Sequence, residues 1–172
     1  MNRKNNKRSL NSQESIEKAY IESLDMYETE KITVQSICRL ANVNRTTFYA
    51  HYMDVLDLQK KIEEKLSREI EKIFEEALID NTKMDLAFFE MFRFIKEHHV
   101  FYQLFLRYHN LSILKTILSS ADTAEEQISH SNYHVSFFTA GVSEMARIWL
   151  NNDCRESPEE LAQIIYEEYC RV

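Results

Sequence analysis

The chain has one glycine and one proline, Gly141 and Pro158, among its 172 residues. Sheet proteins turn often, and tight turns draw heavily on these two residue types. Dinucleotide-binding fingerprints and phosphate-binding loops each need several glycines within a short span. Both nucleotide-binding motifs are therefore excluded, and the sequence predicts an all-helical protein.

The cysteines and the hydropathy pattern exclude further classes of protein. Cys38, Cys154 and Cys170 are widely spaced and odd in number, which excludes a disulfide framework and a four-cysteine zinc site. No apolar run approaches the roughly 20 residues that span a bilayer. The basic N-terminus is not followed by the apolar stretch of a secretory signal. We therefore expect a cytoplasmic protein.

Capping signals and apolar spacing predict three helices in the first third of the chain. Asn11 begins a capping-box pattern, which predicts a first helix over about 12–28. Thr33 and Asn44 are expected to cap two short helices. Asn42 tolerates left-handed backbone geometry, so it can close the tight turn between them where glycine is missing.

The remaining two thirds predict further helices, for a total of about nine. Asp54 starts a long fourth helix with an apolar stripe. The segment 84–108 is rich in aromatic residues and predicts a buried helix pair. Residues 119–132 are polar and indicate a loop or a frayed helix, and another helix is expected over about 133–151. Ser157 caps the last helix, with proline at its first position.

Charge is unevenly distributed along the chain, whose net charge is −7. Residues 1–60 carry nine Lys and Arg against eight Asp and Glu, and residues 61–172 carry twelve against twenty. Four of the first eight residues are basic. Such a tail is either a solvated, disordered end or an arm that reaches DNA phosphates or a minor groove.

Residues 33–52 have the pattern of a helix-turn-helix, whose second helix enters the major groove of DNA. Arg45, Thr46 and Thr47 offer groups for base edges, including the threonine methyl that can contact thymine. Tyr49, His51 and Tyr52 offer donors for phosphate oxygens. The alternative is that these are two short helices with a structural role only.

The same segment resembles the TetR-type bacterial transcriptional regulators. The turn at 41–43, the threonine-rich helix start at 44–47 and the Phe-Tyr-Ala-His-Tyr run at 48–52 are similar to that family's motif. The clear resemblance covers about residues 12–66. Asn42 stands where the family usually has glycine, and Val55 stands where it often has a lysine that contacts a phosphate.

The resemblance implies a role for each matching residue. It implies that Thr33 anchors a phosphate and that Phe48 is buried. It also implies that the second helix of the motif faces bases or backbone and that the residues after it bind phosphates; these residues are Asn44, Arg45, Thr46 and Thr47, then Tyr49, His51 and Tyr52.

The resemblance further implies a four-part organisation. It consists of a basic, disordered arm over 1–11, a helix-turn-helix DNA-binding domain over 12–53, a long connecting helix over 54–79 and a helical ligand-binding and dimerisation domain over 80–172. The partners implied are a second copy of the chain and a near-palindromic DNA operator, since one short helix reads few bases.

Candidates for the dimer interface lie on the last two helices and are Phe138, Trp149, Leu161, Ile165 and Tyr169. Candidates for the pocket of a small apolar or aromatic effector are Phe89, Phe92, Tyr102, Phe105, His109 and His134. The alternative for both sets is ordinary intrachain core. No metal and no cofactor are expected, because His130 and His134 lack an obvious third ligand.

The function expected from the sequence is that of a TetR-like repressor, released from its operator by a small effector. The alternative is a regulator or co-activator of the same fold that is controlled by a protein partner. The aromatic C-terminal half also resembles regulators related to dihydroxyacetone kinase subunits, although no specific motif carries that likeness. An enzyme is not expected, since the sequence shows no motif of a nucleophile with its base or of paired carboxylates.

Overall fold

The structure is a computed structural model that describes residues 3–26, 31–121 and 128–170. Within these ranges it contains nine α-helices and no strand, which confirms the all-helical prediction. The helices are α1 (Arg3–Met26), α2 (Val34–Leu40), α3 (Arg45–Tyr49), α4 (Val55–Ile79), α5 (Met84–Glu97), α6 (His99–Tyr108), α7 (Ser112–Ala121), α8 (Ile128–Asn151) and α9 (Pro158–Ile165). A 3-10 turn over Asn81–Lys83 precedes α5, and a π-helical turn over Tyr166–Cys170 follows α9.

The chain forms two compact units, residues 1–66 and residues 67–172, and their boundary lies within α4. None of the described helices is long and apolar enough to span a bilayer.

The first helix starts earlier than the sequence predicted. α1 begins at Arg3, so residues 3–11, which we expected to be a disordered arm, are helical. Asn11 does not cap the helix, and its carbonyl accepts a hydrogen bond from the Ser15 hydroxyl at 2.8 Å. Once a helix has nucleated, each added residue gains a hydrogen bond, and no glycine or proline stops this extension. The last predicted residues of this helix, 27–28, lie outside the described part of the chain.

The two short helices have the predicted caps. Thr33 accepts a hydrogen bond from the backbone N–H of Ser36, whose hydroxyl accepts one from the Thr33 N–H in return. Asn42 has φ of 52°, so it takes the left-handed conformation expected of it. Asn44 caps α3, and its Oδ1 accepts from the backbone N–H of Thr47 at 2.7 Å.

Left-handed positions in the described residues are occupied without glycine. Asp153 (φ 56°) and Cys154 (φ 49°) end α8 in the same way that Asn42 ends the turn after α2. The N–H of Cys154 donates back to the Trp149 carbonyl at 2.9 Å, so an otherwise unpaired carbonyl at the helix end is satisfied. Gly141 itself lies inside α8.

Apolar side chains from all four helices form the core of the first unit. Ile16 and Tyr20 of α1, Ile37 of α2, Phe48 of α3 and Leu58 of α4 are at most 1% exposed. Burial raises the pKa of Tyr20 to about 12. The predicted burial of Phe48 is confirmed, and its ring lies 5.6 Å from that of Tyr52 between centroids.

The second unit is built around α5 and α8. α5 packs against α9, while α6 and α7 pack against α8. The ring of Phe92 meets Trp149 edge to face at 5.6 Å, and the Trp149 Nε1 donates to the Glu156 carbonyl at 2.9 Å. The hydroxyl of Ser143 accepts from the backbone N–H of Leu111 at 2.9 Å, which fastens the α6–α7 connection to α8. α5 and α6 each bury one side, but Leu86 of α5 is 53% exposed, so the aromatic segment is not the fully buried helix pair that its composition predicted.

The boundaries of the last helices differ partly from the prediction. α7 runs to Ala121 and α8 begins at Ile128, so much of the segment 119–132, expected to be a loop or a frayed helix, is helical, and residues 122–127 lie outside the described ranges. Ser157 and Glu160 form the predicted capping box of α9. The backbone turns π-helical before it reaches Tyr169.

The left-handed turn at Asn42 yields a stability prediction. Asn42→Val should destabilise the chain by about 1–2 kcal/mol, because a β-branched side chain clashes with the backbone at positive φ. Asn42→Gly should stay within about 0.5 kcal/mol of the natural chain, since glycine adopts this conformation freely. Urea denaturation followed by circular dichroism measures both. A valine variant as stable as the natural chain would contradict the role given to this turn.

Candidate nucleic-acid interface

One side of α3 is buried and the opposite side is open to solvent. Phe48 fills the core with 0% exposure, whereas its neighbour Tyr49 is 56% exposed and Arg45 and Thr46 are also exposed. A five-residue helix is unstable in isolation, so the buried Phe48 and the Asn44 cap together hold α3 in place. The result is a short, fixed helix that presents a cation, a hydroxyl and a phenol.

Two of the predicted contact residues, Asn44 and Thr47, are engaged in the cap of α3. Asn44 Oδ1 accepts from both the N–H and the hydroxyl of Thr47, at 2.7 and 2.9 Å. The Thr33 hydroxyl similarly donates to the Ser36 hydroxyl at the start of α2, and the two oxygens are 3.2 Å apart. Thr33 and Asn44 are nevertheless exposed, at the N-termini of helices, where backbone N–H groups favour anions.

His51 and Tyr49 lie at the end of α3. His51 is half-buried, and its carbonyl accepts from Lys61 Nζ at 2.9 Å. Lys61 also pairs with Asp57 at 3.1 Å, so its charge is used within the unit. Val55 is half-buried. Lys61 is thus engaged inside its own unit, more than one and a half turns beyond the position of Val55 where the family often has a phosphate-binding lysine.

Tyr52 corrects one of the sequence predictions. It is 2% exposed, and its hydroxyl donates to Glu17 Oε1 at 3.0 Å. Burial and the neighbouring Glu17 charge raise the pKa of Tyr52 far above its usual range. A buried phenol that already donates to a carboxylate is not available to a phosphate, so Tyr52 has a structural role. Its partner lies 35 residues away in the chain, which sequence spacing did not reveal.

Glu17 is a site residue that the sequence analysis missed. It is 9% exposed, and it accepts from Tyr52, from Gln13 Nε2 at 3.0 Å and from Lys65 Nζ at 2.7 Å. Burial acts to raise the pKa of this carboxyl, but the hydrogen bonds from Lys65, Gln13 and Tyr52 outweigh it and hold the pKa below its ordinary value. The carboxylate thus joins α1, the segment after α3 and the first half of α4.

The predicted effector residues divide between core and surface. Phe92 and Tyr102 are buried at 0% and 3% exposure, Phe89 and Phe105 are half-buried, and His109 and His134 are exposed. Phe105 stacks on His109 at 4.9 Å and meets Tyr102 at 6.4 Å. Phe92 instead packs on Trp149. The core alternative therefore holds for Phe92 and Tyr102.

Two open clefts of about 290 and 220 Å³ lie between α4 and α5 in the second unit. Lys72 and Glu90 line both clefts; the larger is lined mainly by charged residues and the smaller equally by charged and apolar ones, and none of the six predicted effector residues lines either. A separate feature that the sequence did not indicate is the Thr139 hydroxyl in α8, which is buried without a hydrogen-bond partner. The described residues hold no group of three or more His, Cys, Asp or Glu side chains that could bind a metal.

The dimer-interface candidates also need correction. Trp149, Leu161 and Ile165 are at most 5% exposed within the single chain, so they belong to its own core. Phe138 is half-buried and packs on Phe88 at 5.7 Å, and the side chain of Tyr169 lies outside the described part. Apolar spacing shows which residues share the apolar face of a helix. It does not show whether that face packs within the chain or against a partner.

A different set of apolar side chains is exposed on the last two helices. Tyr133 (77%), Phe137 (70%) and Ile148 (52%) lie on α8, and Ile164 (43%) lies on α9. Tyr133 and Phe137 are four residues apart and so share one face of the helix. We call these four residues the exposed α8–α9 residues.

Comparison with known proteins decides the family. A TetR-type family model, described as a transcriptional regulator C-terminal region, matches residues 82–167. The chain belongs to the TetR family of transcriptional regulators. The match covers the C-terminal half, whereas the resemblance in the sequence analysis rested on the N-terminal motif, so the two observations are independent.

Solved structures show the same fold for this TetR-family regulator. The dihydroxyacetone kinase operon activator DhaS is 16% identical, with a TM-score of 0.65 over 91% of this chain and 92% of that one. The fatty acid degradation regulator FadR from Bacillus halodurans is also 16% identical, with a TM-score of 0.66 over 91% and 93% of the two chains. No protein with a curated description matches the chain.

The Glu17 network of the TetR-family chain gives a pH-dependent prediction. Because folding lowers the pKa of Glu17, its stabilisation is complete above about pH 4.5 and is lost as the pH falls through the lowered value. Glu17→Gln should therefore cost about 1–2 kcal/mol at neutral pH, a figure that allows for solvent screening of the exposed Lys65. The loss should shrink below pH 4.5.

Urea denaturation at neutral and acidic pH measures the effect. Glu14→Gln, an exposed glutamate on the same helix, is the matched control and should change stability by less than about 0.5 kcal/mol at either pH. A Glu17→Gln deficit that is the same at both pH values would contradict an ionised Glu17 as the source of the stabilisation.

Proposed function

We propose that this transcriptional regulator is a homodimeric, sequence-specific DNA-binding repressor whose α3 enters the major groove. The observation that carries the proposal is the exposed side of α3, where Arg45, Thr46 and Tyr49 project from a helix fixed by Phe48 and the Asn44 cap. These side chains offer donors for guanine and phosphate and a methyl group for thymine. The TetR family assignment supports it.

The proposed contacts fall into two groups. Arg45, Thr46 and Thr47 face base edges or the adjacent backbone. The Thr47 hydroxyl is engaged by the Asn44 cap, so its methyl group is the part that makes the contact. Tyr49, His51, Thr33 and Asn44 bind phosphates, the last two at helix N-termini. These phosphate contacts make binding salt-dependent.

Dimerisation through the exposed α8–α9 residues supplies the second reading helix. This tyrosine, this phenylalanine and these two isoleucines are apolar groups that a second copy can cover. Two-fold pairing doubles the base contacts and gives a near-palindromic operator. The two α3 helices then fit successive major grooves roughly 34–36 Å apart.

Release of the operator follows from a change in that spacing. An effector that binds more tightly to a dimer with the wrong spacing shifts the population away from the DNA-bound state. Of the predicted effector residues, Phe89, Phe105, His109 and His134 retain surface that a small aromatic molecule can contact.

A second candidate is control by a protein partner in place of a small molecule. The specific observation in its favour is that Phe92 and Tyr102 are used in the core, while the clefts between α4 and α5 are open and the larger one is lined mainly by charged side chains. Charged, open surfaces suit a protein partner better than they suit an apolar ligand.

The DNA contacts can be tested with Arg45→Ala and Tyr49→Ala. Each should weaken binding to a duplex selected by the natural protein by about 1–3 kcal/mol, because each removes an exposed contact group. Fluorescence anisotropy measures binding, and circular dichroism should show unchanged helix content. Arg155→Ala, an exposed arginine between α8 and α9, is the control and should bind normally. Loss of folding in both α3 variants would contradict the assignment of these residues as DNA contacts.

The dimer can be tested with Phe137→Glu. A charge on the 70%-exposed phenylalanine should convert the dimer to monomer, because burying it unpaired in an apolar interface is costly. Sedimentation velocity measures the change. Leu86→Glu, at a 53%-exposed leucine of α5, should leave the dimer intact. A dimeric Phe137→Glu protein would place the interface elsewhere.

A further inference from the structure

The hydrogen bond between Arg45 and Gln35 joins the two helices of the helix-turn-helix. Gln35 is the second residue of α2, and Arg45 is the first residue of α3. Arg45 Nη2 donates to Gln35 Oε1 at 3.1 Å, although the residues are ten apart in the chain and both are exposed. An arginine on an exposed helix surface normally samples many rotamers, and here a side chain on the neighbouring helix restrains it.

The acceptor that restrains Arg45 is neutral, and this determines what the arginine can still do. A carboxylate at position 35 would pair with the guanidinium and would repel DNA phosphates. The glutamine amide carries no charge and so does not neutralise the guanidinium. A guanidinium has five N–H donors in a planar fork, and one bond to Gln35 leaves an edge that can donate two parallel bonds.

Guanine is the base that such an edge fits. In the major groove it presents N7 and O6 side by side, and a bidentate arginine is the commonest specific contact to this pair. We propose that Arg45 reads one guanine in each operator half-site and that Gln35 is a positioning residue that fixes the guanidinium for this contact. The inference rests on the proposed function, and it adds a base identity and a residue of α2 to it.

The experiment uses the full-length protein and a duplex selected from random sequence by the natural protein. Each guanine of a half-site is replaced in turn by 7-deazaguanine, which lacks the N7 acceptor but keeps Watson–Crick pairing. At one position per half-site, the natural protein should bind the modified duplex roughly tenfold more weakly. Arg45→Ala should bind the modified and unmodified duplexes equally.

The positioning role of Gln35 predicts an intermediate result. Gln35→Ala should reduce the discrimination at that guanine by about two- to tenfold, because the freed arginine must be ordered on binding. The discrimination at other positions and the salt dependence of binding should stay unchanged, since no phosphate contact is lost. Adding Gln35→Ala to Arg45→Ala should have no further effect on base preference.

Arg39→Ala, an exposed arginine on the same helix, is the matched control and should keep the guanine discrimination. Equal loss of discrimination in Arg39→Ala and Gln35→Ala would overturn the role of the Gln35–Arg45 bond. A selected duplex with no Arg45-dependent guanine would overturn the inference and leave the proposed function standing. Failure of the natural protein to select any sequence would overturn both.

Discussion

Burial of Phe48 is the interaction on which the helix-turn-helix depends. α3 has five residues, too few to form a helix without tertiary support. Phe48, the fourth of these residues, supplies that support, since it is 0% exposed and packs beside Tyr52. With this side fixed in the core, the remaining side of α3 must face solvent. The exposure of Arg45, Thr46 and Tyr49 thus follows from the burial of one apolar ring.

A second constraint holds this arrangement to the rest of its unit. The Glu17 carboxylate accepts hydrogen bonds from α1, from α4 and from Tyr52 just beyond α3. Burying a carboxylate is unfavourable unless its charge is compensated, and Lys65 with two further donors supplies the compensation. The network replaces apolar packing at this point with directional bonds, so it fixes the orientation of Tyr52 and, through it, the end of α3.

Most local signals of the sequence were good predictors because their physics is local, although Asn11, which was expected to cap α1, lies inside that helix. Thr33, Asn44 and Ser157 cap the expected helices, and Asn42 has the expected left-handed turn. What the sequence did not reveal depends on distant partners: the bond from Tyr52 to Glu17, and the burial of Trp149, Leu161 and Ile165 inside one chain. Helical spacing shows which residues share a face, but which neighbour covers that face is decided by the tertiary fold.

In the proposed dimer, the exposed sides of two α3 helices read DNA sequence together. Selection of the purified protein on random duplex DNA at physiological salt tests it most directly. We expect an enriched near-palindrome whose half-sites are one helical turn apart, about 10–10.5 base pairs from centre to centre, or a multiple of that spacing. Binding that is uniform across sequences and disappears as salt is raised would contradict the claim.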